Sequence, residues 1–138
     1  ELTGHVVVYQ YQNGQLKFSQ RTSTLPRGQK GYAGSADIHV SPDGKYLYAS
    51  NRGDFNNIAI FKTDPKTGKL SIIGFQSTLG KTPRNFNFDP SGDFLLVGNQ
   101  DSNEIVIFKR DRTTGLLTDT GKRIEAGKPV CLKWISTK

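Results

Sequence analysis

Six side chains of this 138-residue chain have the types and spacing to do chemistry together: Asp37, His39, Arg52, Arg84, Asn85 and Gln100. A guanidinium group binds carboxylates and phosphates through paired N–H donors and stays charged at any working pH. His39, with an unperturbed imidazole pKa near ~6.5, is suited to moving a proton. Arg52 is singled out by comparison within the chain. The stretch "SPDGKYLYASNR" (41–52) is matched by "DPSGDFLLVGNQ" (89–100), so one repeated position holds Arg52 in the first copy and Gln100 in the second. The segment "TPRN" sets Arg84 and Asn85 at the entry to the next strand. These residues describe an anion-binding, acid–base corner that uses neither metal nor cofactor. Ser35, Asp37 and His39 share one short segment, too local for an oriented Ser–His–Asp set. Two histidines and a single cysteine, Cys131, argue against a zinc site, and Cys131 reads as a small buried thiol.

What must position such a corner is a repeat. Pro42 and Gly44 return as Pro90 and Gly92, 48 residues on. "NIAIFKTDPKTGKLSIIG" (57–74) returns as "EIVIFKRDRTTGLLTDTG" (104–121), and "LGKTPRNFNF" (79–88) as "AGKPVCLKW" (126–134). Upstream, "HVVVYQYQNGQLKFSQ" matches the second half of the unit. Repeats of roughly 40–50 residues indicate blades or solenoids.

Each unit reads as four short strands: "ADIHV", "KYLYASN", "NIAIFK" and "KLSIIGFQ", separated by turns rich in Pro, Asp and Gly. The predicted fold is all-β: β-propeller blades of four antiparallel strands, forming a partial arc. Residues 1–30 would be the outer half of one blade, 36–83 and 84–129 full blades, and 130–138 the innermost strand of a closing blade. An arc this short leaves strand edges and apolar faces open, so closure needs the remaining blades of the same protein or further copies of the chain. On the innermost strand, Ile38 and Val40 share one face with Phe86 and Phe88, while Asp37, His39, Asn85, Asn87 and Lys133 take the other parity. Those polar groups either line a central channel or hydrogen-bond the neighbouring blade.

The formal charge of +7 is scattered, without the basic face and interleaved aromatics of a nucleic-acid module, so nucleic acid is not an expected partner. No apolar run is long enough to span a bilayer, no membrane partner is expected, and a cytoplasmic location is. A small anionic ligand suits a few placed cations better.

At "ADIHVSPDGKYLYASNR", "GFQSTLGKTPRNFNFDPSGDFLLVGNQ" and "GLLTDTGKRIEAGKPVCLKW" the chain resembles the C-terminal third of the seven-bladed propeller lactonases. That family includes the bacterial propeller-type 6-phosphogluconolactonases and is similar in fold to the fungal carboxy-muconate cyclase. The resemblance implies metal-free hydrolysis of 6-phosphogluconolactone to 6-phosphogluconate in the pentose phosphate pathway. It implies catalytic roles for His39 and Arg52, and substrate contacts from Asp37, Arg84, Asn85 and Gln100. The family cleft also draws a histidine and a glutamate from earlier blades, so this segment alone is expected to be inactive. Two rivals remain: a muconate-type lactonizing cyclase, and a non-catalytic propeller that binds partners on its rim.

Overall fold

The computed structural model describes residues 3–135. Ten strands occur in chain order: β1 (His5–Gln12), β2 (Gln15–Ser23), β3 (Ile38–Val40), β4 (Tyr46–Asn51), β5 (Asn57–Thr63), β6 (Leu70–Ser77), β7 (Pro83–Phe88), β8 (Phe94–Asn99), β9 (Glu104–Arg110) and β10 (Leu117–Glu125). They form a two-stranded sheet, β1–β2, and two four-stranded sheets, β3–β4–β5–β6 and β7–β8–β9–β10. All neighbours are antiparallel. Asn13 and Gly14, both at positive φ, make the tight β1–β2 turn whose twist matches the strands it joins.

The sheets stack as blades. Tyr46 and Tyr48 of β4 and Ile58 and Ile60 of β5 face Phe86, Phe88, Leu95, Val97, Val106 and Phe108 of the following sheet. Their alternate neighbours Leu47, Ala49, Ala59 and Phe61 face Val6 of β1 on the other side. A strand buried on both faces, as all of β4 is, reads as a near-continuous apolar run, which is how "YLYAS" looks in the sequence.

Polar pins cross between the blades as well. The Tyr46 hydroxyl donates to Thr113 O, and the Tyr48 hydroxyl to Gly115 O over 2.6 Å. Burial pushes the Tyr48 phenol well above its usual range, so it stays protonated as a donor. The Arg110 guanidinium, 2 % exposed, donates to both Asp43 carboxylate oxygens, at 3.3 and 3.2 Å, and to Gly92 O at 2.8 Å. It also lies over the Phe88 ring, 5.6 Å from its centroid. Asp43, read from sequence as a turn former, accepts the Ser41 hydroxyl and the Lys45 N–H besides.

The innermost strands show what a short arc leaves uncovered. Phe86 and Phe88 are buried against the sheet before them, while Ile38 and Val40, at the same parity one blade earlier, are 49 % and 53 % exposed. The sheet before β3 has only the two strands β1 and β2 among the described residues, which leaves Ile38 and Val40 half open. The strand expected over 130–138 belongs to no sheet through residue 135, and residues 136–138 lie outside the described ones. Without a neighbouring strand to complete a ladder, Leu132 is held by side chains of β7: its N–H donates to Asn85 Oδ1 at 2.6 Å and its carbonyl accepts from Asn87 Nδ2 at 3.0 Å. Cys131 is exposed rather than buried, because this segment packs on no further strand.

Candidate active-site corner

The corner lies where β3 and β7 begin and β4 and β8 end. The register pairs Ile38 with Ala49 and Pro83 with Asn99, which carries Arg52 to the start of β3 and Gln100 to the start of β7. Arg52 leaves β4 just after the buried Asn51. Its Nε donates to Gly34 O at 2.5 Å and its Nη2 to Ser35 O at 3.3 Å, so two carbonyls fix the plane of the guanidinium. At the next blade Arg84 is exposed, and its Nη1 donates to Gln100 Oε1 at 3.4 Å. Gln100 opens a single 3₁₀ turn, Gln100–Ser102. Arg52 and the Arg84–Gln100 pair thus sit at the same end of adjacent blades, near their inner edge.

Asp37, Asn85 and His39 are bound up with the blade interface. One Asp37 oxygen accepts from Asn85 Nδ2 at 2.6 Å, Phe86 N at 3.1 Å and His39 Nε2 at 3.1 Å, and the other from Ile38 N at 2.9 Å. Burial works against ionising this carboxyl. The donors from His39 and the Phe86 backbone outweigh it and hold the pKa below the usual carboxylate value. The His39 ring meets Phe86 edge-on, 5.0 Å between centroids. The same device recurs one blade later, where Asn85 Oδ1 accepts from Leu132 N. Asp37 and Asn87 reach the segment that follows their own blade, and Asn85 bridges the two on either side of it. Of the two readings open for their parity, the inter-blade hydrogen bond describes the contacts of Asp37, Asn85 and Asn87. Lys133 is exposed.

A second layer, unread in the sequence, supports Arg52. Asn51 Oδ1 accepts the hydroxyls of Thr24 and Ser35 at 2.8 and 3.1 Å, and its Nδ2 donates to Thr24 O and Asn57 Oδ1. The counterpart Asn99 also donates to a threonine carbonyl, Thr78 O, at 2.9 Å, but its buried Oδ1 has no donor among the described residues. Pro83 stands where the first copy has Ser35, and proline brings no hydroxyl. The Asn51 layer is complete beneath Arg52 and incomplete beneath Gln100. A cavity of about 210 Å³ opens beside this layer on the β1 side, lined by His5, Thr24, Ser35 and Asp37 among others.

The family model of the seven-bladed β-propeller lactonases matches residues 1–134. The chain belongs to the seven-bladed β-propeller lactonase family. A 6-phosphogluconolactonase of Formosa agariphila is 53 % identical over 101 residues, covering 72 % of this chain and 28 % of that protein. The 6-phosphogluconolactonase of Bacillus subtilis is 34 % identical over 137 residues, 98 % of this chain and 39 % of that protein. Among solved structures, the periplasmic gluconolactonase PpgL of Pseudomonas aeruginosa superposes with a TM-score of 0.93 at 37 % identity, over 99 % of this chain and 38 % of that one. This propeller lactonase chain therefore spans less than two fifths of the length of each of these relatives. Among its described residues no helix is long and apolar enough to cross a membrane.

Proposed function

We propose that this chain supplies the Arg52 side of the cleft in a lactonase that hydrolyses 6-phosphogluconolactone to 6-phosphogluconate, and that the chain by itself turns over none. The reading is supported by relatives named for that activity and is carried by one observation: a guanidinium locked by Gly34 O and Ser35 O at the inner edge, with Arg84 at the same end of the next blade.

In this reaction water adds to the lactone carbonyl, the ring C–O bond breaks, and the ring oxygen leaves as a hydroxyl after taking up a proton. Negative charge grows on the carbonyl oxygen as water adds. A cation already fixed in place stabilises that charge without reorganising, commonly the largest catalytic contribution. Arg52 takes this oxyanion or the substrate phosphate, and Arg84, oriented by Gln100, takes the other. Asn85 reaches the substrate only from the position Asp37 gives it. Asp37 acts by holding Asn85 and His39, while His39 carries the proton or orients the water, with the principal base drawn from blades outside this segment.

The test is to assay the seven-bladed protein carrying this chain, and the 138-residue chain alone, on 6-phosphogluconolactone and on a muconolactone. Turnover of the phosphorylated lactone by the ring alone supports the reading. Turnover of the muconolactone only, or full activity of the isolated chain, overturns it.

A further inference from the structure

The loops that lead into β3 and β7 start from equivalent points. Thr24 N donates to Gly4 O and Thr78 N to Asn56 O, and each threonine carbonyl accepts from the buried asparagine of the next sheet. The loops differ in length. Residues 25–36 separate Thr24 from Asp37, whereas only 79–84 separate Thr78 from Asn85. The longer loop carries Tyr32, and its path is tightly held. Tyr32 N donates to Asp54 Oδ2 at 2.8 Å, and Tyr32 O accepts from Asp54 N at 3.1 Å. The backbone passes so close to Gly53 that a Cβ there would sit 2.2 Å from Tyr32 O, at a φ of +57° that side chains rarely adopt.

The ring is presented rather than packed away. It is 56 % exposed. Its Cε1 and Cζ, together with Arg52 Cβ, all come within 3.4 Å of the point where a side chain on Gly34 would begin. The carbonyls that fix the Arg52 guanidinium belong to this same loop. A rigidly held, half-exposed aromatic beside a fixed cation offers a flat apolar face and a charge to one ligand, at little cost in side-chain entropy. The second blade has Gln100 at the position of Arg52, and its shorter entry loop, 79–84, carries no aromatic residue.

We propose that Tyr32 forms a wall of the substrate subsite beside Arg52, laying its ring against the carbon skeleton of a sugar lactone whose anionic group Arg52 holds. This rests on the lactonase reading above and adds a specificity residue to it. The ring contacts the skeleton common to phosphorylated and unphosphorylated lactones, so its loss is felt by both.

The experiment measures kcat and KM of the seven-bladed protein on 6-phosphogluconolactone and on unphosphorylated gluconolactone. Binding lost equally from ground and transition states raises KM alone, so Tyr32→Ala is expected to raise KM for both lactones about tenfold with kcat changed less than about twofold. Tyr32→Phe should stay close to the parent. Should Tyr32→Ala fail to fold, Tyr32→Leu, which keeps bulk without a flat face, carries the comparison with the same expected rise. An unchanged KM in the folded variant, or a fall in Tm with KM held, overturns the subsite and leaves the lactonase reading standing. A parent that turns over neither lactone overturns the lactonase reading itself, and the subsite with it.

Discussion

Asp37 and Asn85 occupy the same position in successive blades, and the amide of the second donates to the carboxylate of the first over 2.6 Å. The Phe86 N–H joins at 3.1 Å, so the start of β7 hangs from one side chain of the blade before it. Asp37→Ala strands a half-buried amide and a backbone N–H together. Hydrogen bonds to a charged group each contribute roughly 1.5–3 kcal/mol, and with partial exposure a total loss of about 2 kcal/mol is expected from denaturant unfolding. Because Asn85 and His39 lose their anchor, lactone turnover by the seven-bladed protein carrying the same substitution should fall. Stability and turnover both at the parent level would show that the bridge is idle.

Acid should loosen these pins. Burial disfavours the charged forms of Asp37 and Asp43, yet their donors outweigh it and both pKa values lie below the ordinary 3.8. A depressed folded pKa contributes stability above the unfolded value and loses it as pH falls through the folded one. The urea midpoint should therefore hold from neutral pH down to about 5 and drop below about 4. Asp43→Asn should flatten the drop. A midpoint indifferent to pH down to about 2 would contradict this linkage.

The Asp43–Arg110 bridge should respond unequally to loss of its two ends. Arg110 is 2 % exposed and Asp43 27 %, so removing the carboxylate leaves a buried cation, while removing the cation leaves a carboxylate that water reaches. Breaking a fully buried pair costs 3–5 kcal/mol; with one partner half in water, Asp43→Asn is expected to cost about 2–3 kcal/mol. Arg110→Met, which keeps apolar packing on Phe88, should cost less. The reverse order in unfolding experiments would mean that the Gly92 and Phe88 contacts dominate.

Gly53 tests the loop geometry. A methyl group there collides with Tyr32 O and must adopt a positive φ, so Gly53→Ala should cost roughly 1–3 kcal/mol and shift the loop that carries Tyr32 and fixes Arg52. The expected readout is a lower Tm together with a raised lactone KM.

The blade pattern was plain in the sequence because its causes are local. The repeat of 41–52 as 89–100, the Asp–Gly turns and the apolar run of β4 each declare themselves within a few residues. Parity also placed Ile38 with Phe86 correctly on one face, but not what covers that face, since this depends on the number of strands in the sheet before it. The contacts of Asp37 and Asn85 were legible only as a choice between channel and neighbouring blade, because both readings need the same alternation. Arg110 shares parity with the core residues Val106 and Phe108, and its partner lies across a blade boundary at Asp43, which no periodicity reveals. The place of Tyr32 beside Arg52 was hidden for a similar reason: its loop has no repeated copy to set it against.

The proposed lactonase chemistry rests on Arg52 and is read most directly in kcat/KM for 6-phosphogluconolactone of the seven-bladed protein with Arg52→Ala. Loss of a fixed donor to a developing oxyanion typically costs 10²–10³ in rate, and a fall of at least about a hundredfold is expected. Arg52→Lys, which cannot reproduce the planar fork set by Gly34 O and Ser35 O, should recover little of it. Parent-level kcat/KM in a folded Arg52→Ala protein would contradict the account.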